Sequence, residues 1–372
     1  MKKTLIAGAA LAALAGFAQA QSVTIFGIVD AGVEYQSKVG TAADNDSRTS
    51  MQNGGIAPSI WGFRGSEDLG GGLKAVFNLE GDFNSDTGGP RFDGGLMLFG
   101  RQANVGLSGD FGTVLLGRQY SPALLAELGT DPRGYRESFS SLLPYALSQA
   151  PTGNTGLPAL DTSRNNFVGI FNGNALSYTN SFGPVTVRAA YGLGEVAGKT
   201  SDASTVALGV TYVGPITVSG SYQQIKGGAG TDAETERFGV GVAVPFGDFT
   251  FKALYAASKA DDIAGDKVSD ADYFGVGVNW NWNPQNTLIV AYYQGKDKEG
   301  TSVTTLLPHS GKTKDLVLSN DYALSKRTTL YAQLVYSDID DNANTALSIA
   351  ADRGPVAGEK TTIFGMGIKH SF

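Results

Sequence analysis

Apolar and polar residues alternate with period two in sixteen short segments of this chain, and after residue 20 no apolar run is long enough to cross a bilayer as a helix. Four successive segments, 205–212, 216–223, 237–244 and 249–256, show the pattern when sorted by parity. One face reads Val206, Leu208, Val210, Tyr212; Ile216, Val218, Gly220, Tyr222; Phe238, Val240, Val242, Val244; Phe249, Phe251, Ala253, Tyr255. The other is built from Thr, Ser, Gly, Ala, Gln223, Arg237 and Lys252, with Leu254 as its single large apolar residue. A soluble sandwich also alternates, but its apolar faces must meet across a packed core. The remaining segments carry the same polar second face, so no partner face is expected. The pattern predicts an all-β fold, an antiparallel transmembrane barrel with an apolar exterior and a wet interior.

Aromatic residues support that geometry. Tyr178, Tyr212, Phe249, Trp280 and Tyr322 fall beside short turns, while Tyr191, Tyr222, Tyr255, Tyr292 and Tyr336 fall at the opposite segment ends. Two such rows match the interfacial girdles of an outer-membrane barrel.

Residues 1–20 place Lys2 and Lys3 before an apolar run from Leu5 to Ala18 and end in Ala18-Gln19-Ala20, the form of a cleaved secretory signal. A single spanning anchor would need a longer run. Removing this segment leaves 352 residues, 21–372, with formal charge −9. The chain has 51 glycines and no cysteine, in keeping with an exported barrel held by closed backbone hydrogen bonding. The acidic balance argues against nucleic acid as a partner, which would require a basic excess. Asp261, Asp262, Asp266, Asp270 and Asp272 form one acidic cluster and Asp338, Asp340, Asp341, Asp352 and Glu359 another, both expected in solvated outer loops.

Turn residues divide the chain into segments at 22–35, 50–65, 72–83, 95–108, 112–120, 164–180, 184–193, 204–213, 215–225, 236–244, 248–258, 272–281, 286–296, 313–322, 328–338 and 360–372. Short and long connections alternate between them, and the longest runs from about Ser121 to Ser163. Sixteen strands enclose too much space for side chains to fill, so an aqueous channel is expected. A connection this long calls for a functional explanation, and folding into the lumen would narrow that channel.

Several ordered stretches carry a resemblance. They are Val23-Thr24-Ile25-Phe26-Gly27-Ile28-Val29-Asp30-Ala31-Gly32, Trp61-Gly62-Phe63-Arg64-Gly65-Ser66-Glu67-Asp68-Leu69-Gly70, Gly106-Leu107-Ser108-Gly109 with Leu116-Gly117-Arg118-Gln119-Tyr120, Tyr322-Ala323-Leu324-Ser325-Lys326-Arg327-Thr328, and Gly367-Ile368-Lys369-His370-Ser371-Phe372. In this order they resemble the trimeric general diffusion porins of Gram-negative bacteria, closest to the beta-proteobacterial subgroup, over essentially all of 21–372. The resemblance implies a homotrimer in outer-membrane lipid passing small hydrophilic solutes and ions, with no cofactor. Much of the subunit interface would come from the early strands, including Leu96 to Gly109. It also implies that the strand ending on Phe372 is read by the insertion machinery, beside its role in closing the barrel.

In similar porins the longest loop, the third, faces a ladder of bases at the narrowest point. The matching wall residues are Arg64, Lys74, Arg101, Arg118 and Arg164, and the loop offers Glu127 and Asp131. Ile60 stands where similar chains often carry arginine, which thins the ladder, and simple parity places Arg101 with Ala103, Val105 and Leu107 on the outer face unless a bulge intervenes. Glu80 and Asp82 lie near Lys74 and can be salt-bridge partners instead of ion-selecting groups. Mobile ions screen the acidic outer loops, so the basic wall tips the expectation weakly toward anions.

Other chemistries find less support. A barrel hydrolase needs a nucleophile and base in contact, and the only histidines are His309, in a loop, and His370, on the apolar face of the last strand. Asp338, Asp340, Asn342 and Asn344 mimic the start of a calcium loop, but Ala343 replaces the needed glycine and Ile349 the bidentate acid, so no metal site is assigned. Gly70-Gly71-Gly72-Leu73-Lys74 lacks the spacing of a phosphate loop and reads as a turn. A plugged adhesin would need a plug, and the first strand begins almost at the cleavage site.

Overall fold

Strands that are apolar on one face and polar on the other can satisfy every backbone group in a bilayer only by closing on themselves. The computed structural model describes residues 21–39, 46–90, 98–149, 169–228, 230–298 and 311–372. The strands are β1 (Gln21–Val39), β2 (Asp46–Asn53), β3 (Ile60–Gly70), β4 (Leu73–Asp82), β5 (Gln102–Gly109), β6 (Gly112–Tyr120), β7 (Phe171–Phe182), β8 (Val185–Gly192), β9 (Thr205–Val213), β10 (Thr217–Lys226), β11 (Glu234–Phe246), β12 (Phe249–Asp261), β13 (Lys267–Asn283), β14 (Asn286–Asp297), β15 (Lys312–Ala323), β16 (Thr328–Ile339) and β17 (Lys360–Ser371). All pair antiparallel in one sheet, and β1 meets β17 from Ile28 opposite Ser371 to Gln36 opposite Ile363, which closes the barrel.

The seventeen paired segments make sixteen staves. β2 and β3 lie end to end against the same edge of β1, with Asn53 opposite Ala31 and Ile60 opposite Ile28. The break between them is organised by Asp30, which is fully buried. Its carboxylate accepts the backbone N–H groups of Gly55, Ile56 and Ala57 at 3.1, 2.9 and 2.8 Å and the Tyr331 hydroxyl at 2.6 Å. Amides that leave the ladder thus find a charged acceptor instead of water.

The parity reading holds along the wall. Leu208, Val240, Phe251, Leu318 and Met366 each expose 43–50 % of their surface outward, while Ser219, Gln223 and Arg237 turn inward. In one aromatic row Phe249 stacks on Trp280 with ring centroids 5.6 Å apart. The Gly70-Gly71-Gly72 stretch makes the β3–β4 turn with three positive φ angles that only glycine takes without strain. Several strands outrun the sequence estimate: β13 begins at Lys267, where its ladder continues to Asp261. Above the lipid both faces are polar, so hydropathy alternation cannot mark where pairing stops.

The inner face is less uniformly polar than expected. Tyr273, Tyr293, Val317, Val335 and Ile363 point inward and bury Phe139, Ile349 and Ala350, which come from connecting segments. Leu254, the exception in the parity count, packs with Leu124, Tyr135, Tyr145, Ile170 and Phe171. The apolar core therefore lies inside the barrel, between its wall and the chain folded into it, and each large side chain buried there stabilises that seating by roughly 2 kcal/mol.

Candidate functional site

The connection after β6 turns into the lumen at once. Ser121 caps helix α1 (Pro122–Glu127), accepting the Ala123 N–H at 3.2 Å, and Pro122 occupies the first turn, where a missing N–H costs nothing. A second short helix, α2 (Leu142–Leu147), follows. Between them the chain crosses to the far wall. Thr130 Oγ1 lies 2.7 Å from Ser219 Oγ on β10, the Lys252 Nζ of β12 donates to the Asp131 carbonyl at 3.3 Å, and Ser138 Oγ donates to the Gly54 carbonyl at 2.8 Å.

Glycines make the seat. A Cβ on Gly209, Gly239 or Gly241 would overlap Pro122, Glu127 or Thr130, and one on Gly277 would lie 2.9 Å from Pro132 Cβ. Small inward residues on β9, β11 and β13 thus let the loop backbone approach closely. They do not simply widen the water-filled space.

Charge fixes the loop in register. Glu127 is fully buried, and its carboxylate accepts Arg237 Nη1 and Nη2 of β11 at 2.7 and 2.8 Å, together with the hydroxyls of Tyr135 and Ser221. Asp131 is also fully buried; one oxygen accepts the backbone N–H groups of Arg133 and Tyr135, both at 2.9 Å. Arg136 forms a two-pronged pair with Asp321 of β15. Glu127 and Asp131, expected to face the passage, instead face the wall and the loop's own turn, because each carboxylate is needed to satisfy groups that the folded-in loop would otherwise bury unpaired.

The expected wall cations divide into two groups. Arg64 points inward and is exposed, its guanidinium 5.1 Å from the Phe26 ring, and Lys74 is exposed beside the β3–β4 turn. Arg101 and Arg118 are buried, 6 % and 7 % exposed. Arg101 lies in the bend before β5 and turns inward, meeting Glu80 at 3.1 Å, Asp82 at 3.3 Å and the Tyr120 hydroxyl at 2.7 Å. The bend overrides strand parity at that position. Arg118 follows a bulge at Gly117, where φ is +114° and the β6–β7 register slips. Its Nε donates to the Gly100 carbonyl at 2.6 Å, and its guanidinium lies 4.9 Å from the Phe171 ring. Arg164 lies outside the described residues.

Two further wall cations are half-buried and inward: Arg188 of β8, which the sequence reading missed, and Lys252 of β12, which it placed on the polar face but not among the site residues. Arg237 was likewise placed on that face without a role at the site, although a lone arginine on an otherwise small polar face was its signal. Between the loop and the wall lies a cavity of about 460 Å³, lined by Leu125, Leu128 and Leu142 on the loop side and by Ile60, Glu80 and Arg101 opposite. At the outer end Asp338 and Asp340 are engaged by Lys360 at 3.5 Å and Lys314 at 2.6 Å.

Comparison with known proteins agrees with this architecture. A family model described as Gram-negative porin matches residues 7–342. An outer membrane porin protein of Bordetella pertussis is 33 % identical, with all of both chains covered. Among solved structures, the anion-selective porin from Comamonas acidovorans is 28 % identical with a TM-score of 0.78, covering 95 % of this chain and all of that one. The in-vitro folded OmpT of Vibrio cholerae, in its trimer form, has a TM-score of 0.61 at 16 % identity, with 95 % of this chain and all of that one covered, a likeness of fold alone.

Proposed function

Because the chain belongs to the Gram-negative porin family, we propose that its conduction path is the space left between the folded-in loop and the side of the wall that carries Ile60, Glu80 and Arg101, leaning weakly toward anions. The protein is an outer-membrane porin, a passive channel and not an enzyme. One observation carries the selectivity reading: the loop acids Glu127 and Asp131 are fully buried, whereas Arg64 and Lys74 reach lumen water. Exposed fixed charge acts on a passing ion far more than charge already neutralised by a partner. Anion selectivity is also the printed property of the Comamonas porin.

The same reading takes Arg64, Lys74, Arg101, Arg118 and Arg164 as the basic side of the passage, with Arg101 tied to Glu80 and Asp82 and so contributing less field. It takes the working unit as a homotrimer, each subunit with its own pore. Support for this comes from Val105, Leu107, Leu116 and Leu176, apolar residues 44–57 % exposed on the outer side of β5, β6 and β7. Residues 1–20 are read as a signal removed after Ala20.

Reversal potential across a planar bilayer under a salt gradient tests the selectivity. A steady ohmic current with a modest anion preference is expected, and a cation preference would overturn the assignment of Arg64 and Lys74.

A further inference from the structure

Where the loop meets β15 and β16, three buried side chains hold polar atoms with no hydrogen-bond partner among the described residues: Arg133 Nε, Gln333 Nε2, and both amide atoms of Gln52. Arg133 is 3 % exposed, Gln333 1 % and Gln52 3 %. They form a series. Arg133 Nη2 donates to Gln333 Oε1 at 2.9 Å, and Gln333 and Gln52 converge over Gly365, where a Cβ would lie 3.5 Å from Gln333 Nε2 and 3.1 Å from Gln52 Oε1. The missing Cβ leaves room between them.

Among the described residues, the charge at this place has no counter-ion in contact. The guanidinium of Arg133 meets only neutral oxygens, Ser319 Oγ at 2.6 Å and Gln333 Oε1. Nearby carboxylates are committed elsewhere: Asp131 to backbone amides, Asp321 to Arg136, Glu34 to Arg353 at 3.1 Å, and Asp30 to the β2–β3 break. Burial, and then the neighbouring Arg136, pull the Arg133 guanidinium down to about 10 against the opposing field of Asp321 and Asp131, and it stays protonated at neutral pH. A buried cation that no carboxylate contacts is costly, and so is each unmet donor. Water would satisfy the donors and leave the charge.

We propose that Arg133, Gln333 and Gln52, over the bare backbone of Gly365, form a binding site for a small monovalent anion of the halide class. Gln333 Nε2 faces the space over Gly365, and Arg133, joined to Gln333 through Nη2, carries the third unmet donor of the series. The Gln52 amide, whose two ends are interchangeable by a flip, presents its NH2 to the ion. The anion would hold the loop to β15 and β16, and it is separate from the ions that pass through the pore.

The test uses the full-length, detergent-solubilised protein with bromide as probe. Thermal unfolding is followed in sodium bromide and in sodium gluconate at matched ionic strength, for the wild type and for Arg133→Met, so that bulk salt effects common to both chains cancel. The wild type should gain about 2 °C or more in midpoint, saturating with bromide, beyond any gain in the variant. Gly365→Ala, which fills the cradle but keeps the arginine, should lose the same increment. Crystals soaked in bromide should show an anomalous peak between Arg133 and Gln52. Equal bromide responses in wild type and Arg133→Met, or water without bromide at that position, would overturn the site.

Discussion

Glu127 and Arg237 lie 110 residues apart in sequence and meet inside the barrel through two parallel hydrogen bonds of 2.7 and 2.8 Å, joining α1 of the loop to β11 of the wall. The pair is shut off from solvent, with Arg237 3 % exposed and Glu127 fully buried. Removing one partner strands the other. Arg237→Met should cost roughly 3 kcal/mol of loop seating, the price of a lone buried carboxylate, unless the loop swings out to rehydrate it. Either outcome appears in single-channel records as larger or noisier conductance. Adding Glu127→Gln to Arg237→Met should quiet the channel again, and an additive pair of defects would argue against direct coupling.

A methyl group placed in the glycine seat should act by steric displacement alone. Gly241 lies in an extended strand beneath Thr130, so Gly241→Ala leaves the barrel ladder intact and lifts the loop. The expected cost is about 1–3 kcal/mol in overpacking. Conductance should change while heat resistance of the barrel, followed by gel mobility, stays close to wild type; a silent substitution would mean that the loop has slack there.

Charge reversal should separate exposed from buried groups. Arg64→Glu replaces a lumen cation with an anion and should move the reversal potential toward cations. Asp131→Asn removes a charge that never meets the permeating solution and should leave that potential unchanged, though it weakens the loop turn. Equal shifts from both would contradict the orientation of the loop acids.

At the strand break, Asp30→Ala should destabilise the barrel by about 2–4 kcal/mol, since three amides and the Tyr331 hydroxyl lose one shared acceptor. Asp30→Asn keeps one carbonyl oxygen and should fall between the two. Urea unfolding of the detergent-solubilised protein provides the comparison, and a wild-type midpoint for Asp30→Ala would show that water replaces the carboxylate without loss.

The barrel wall was legible because lipid and water impose opposite demands on alternate residues, so parity alone sorts Val240 outward and Ser219 inward. The loop announced itself by length. Its seat did not, since a glycine facing water and a glycine facing a loop backbone are the same letter, and only Leu254 hinted that part of the inner face was covered. Glu127 read as an ion-facing acid because its partner Arg237 lies on a strand that sequence distance gives no reason to join to it. Arg101 and Arg118 depend on a bend and on the Gly117 bulge, each of which resets parity by an amount that hydropathy does not encode.

The loop leaves the wall after β6, yet most of the surfaces that receive it, apart from Gly54, belong to β9 through β16, strands made much later in the chain. During biogenesis the insert therefore has nowhere to dock until most of the cylinder exists, and loop closure over such separations is slow. The aperture acquires its final bore as a late step of assembly. A protease present throughout insertion should find the segment around Leu128 open to cleavage until the last strands arrive, and closed to it afterward.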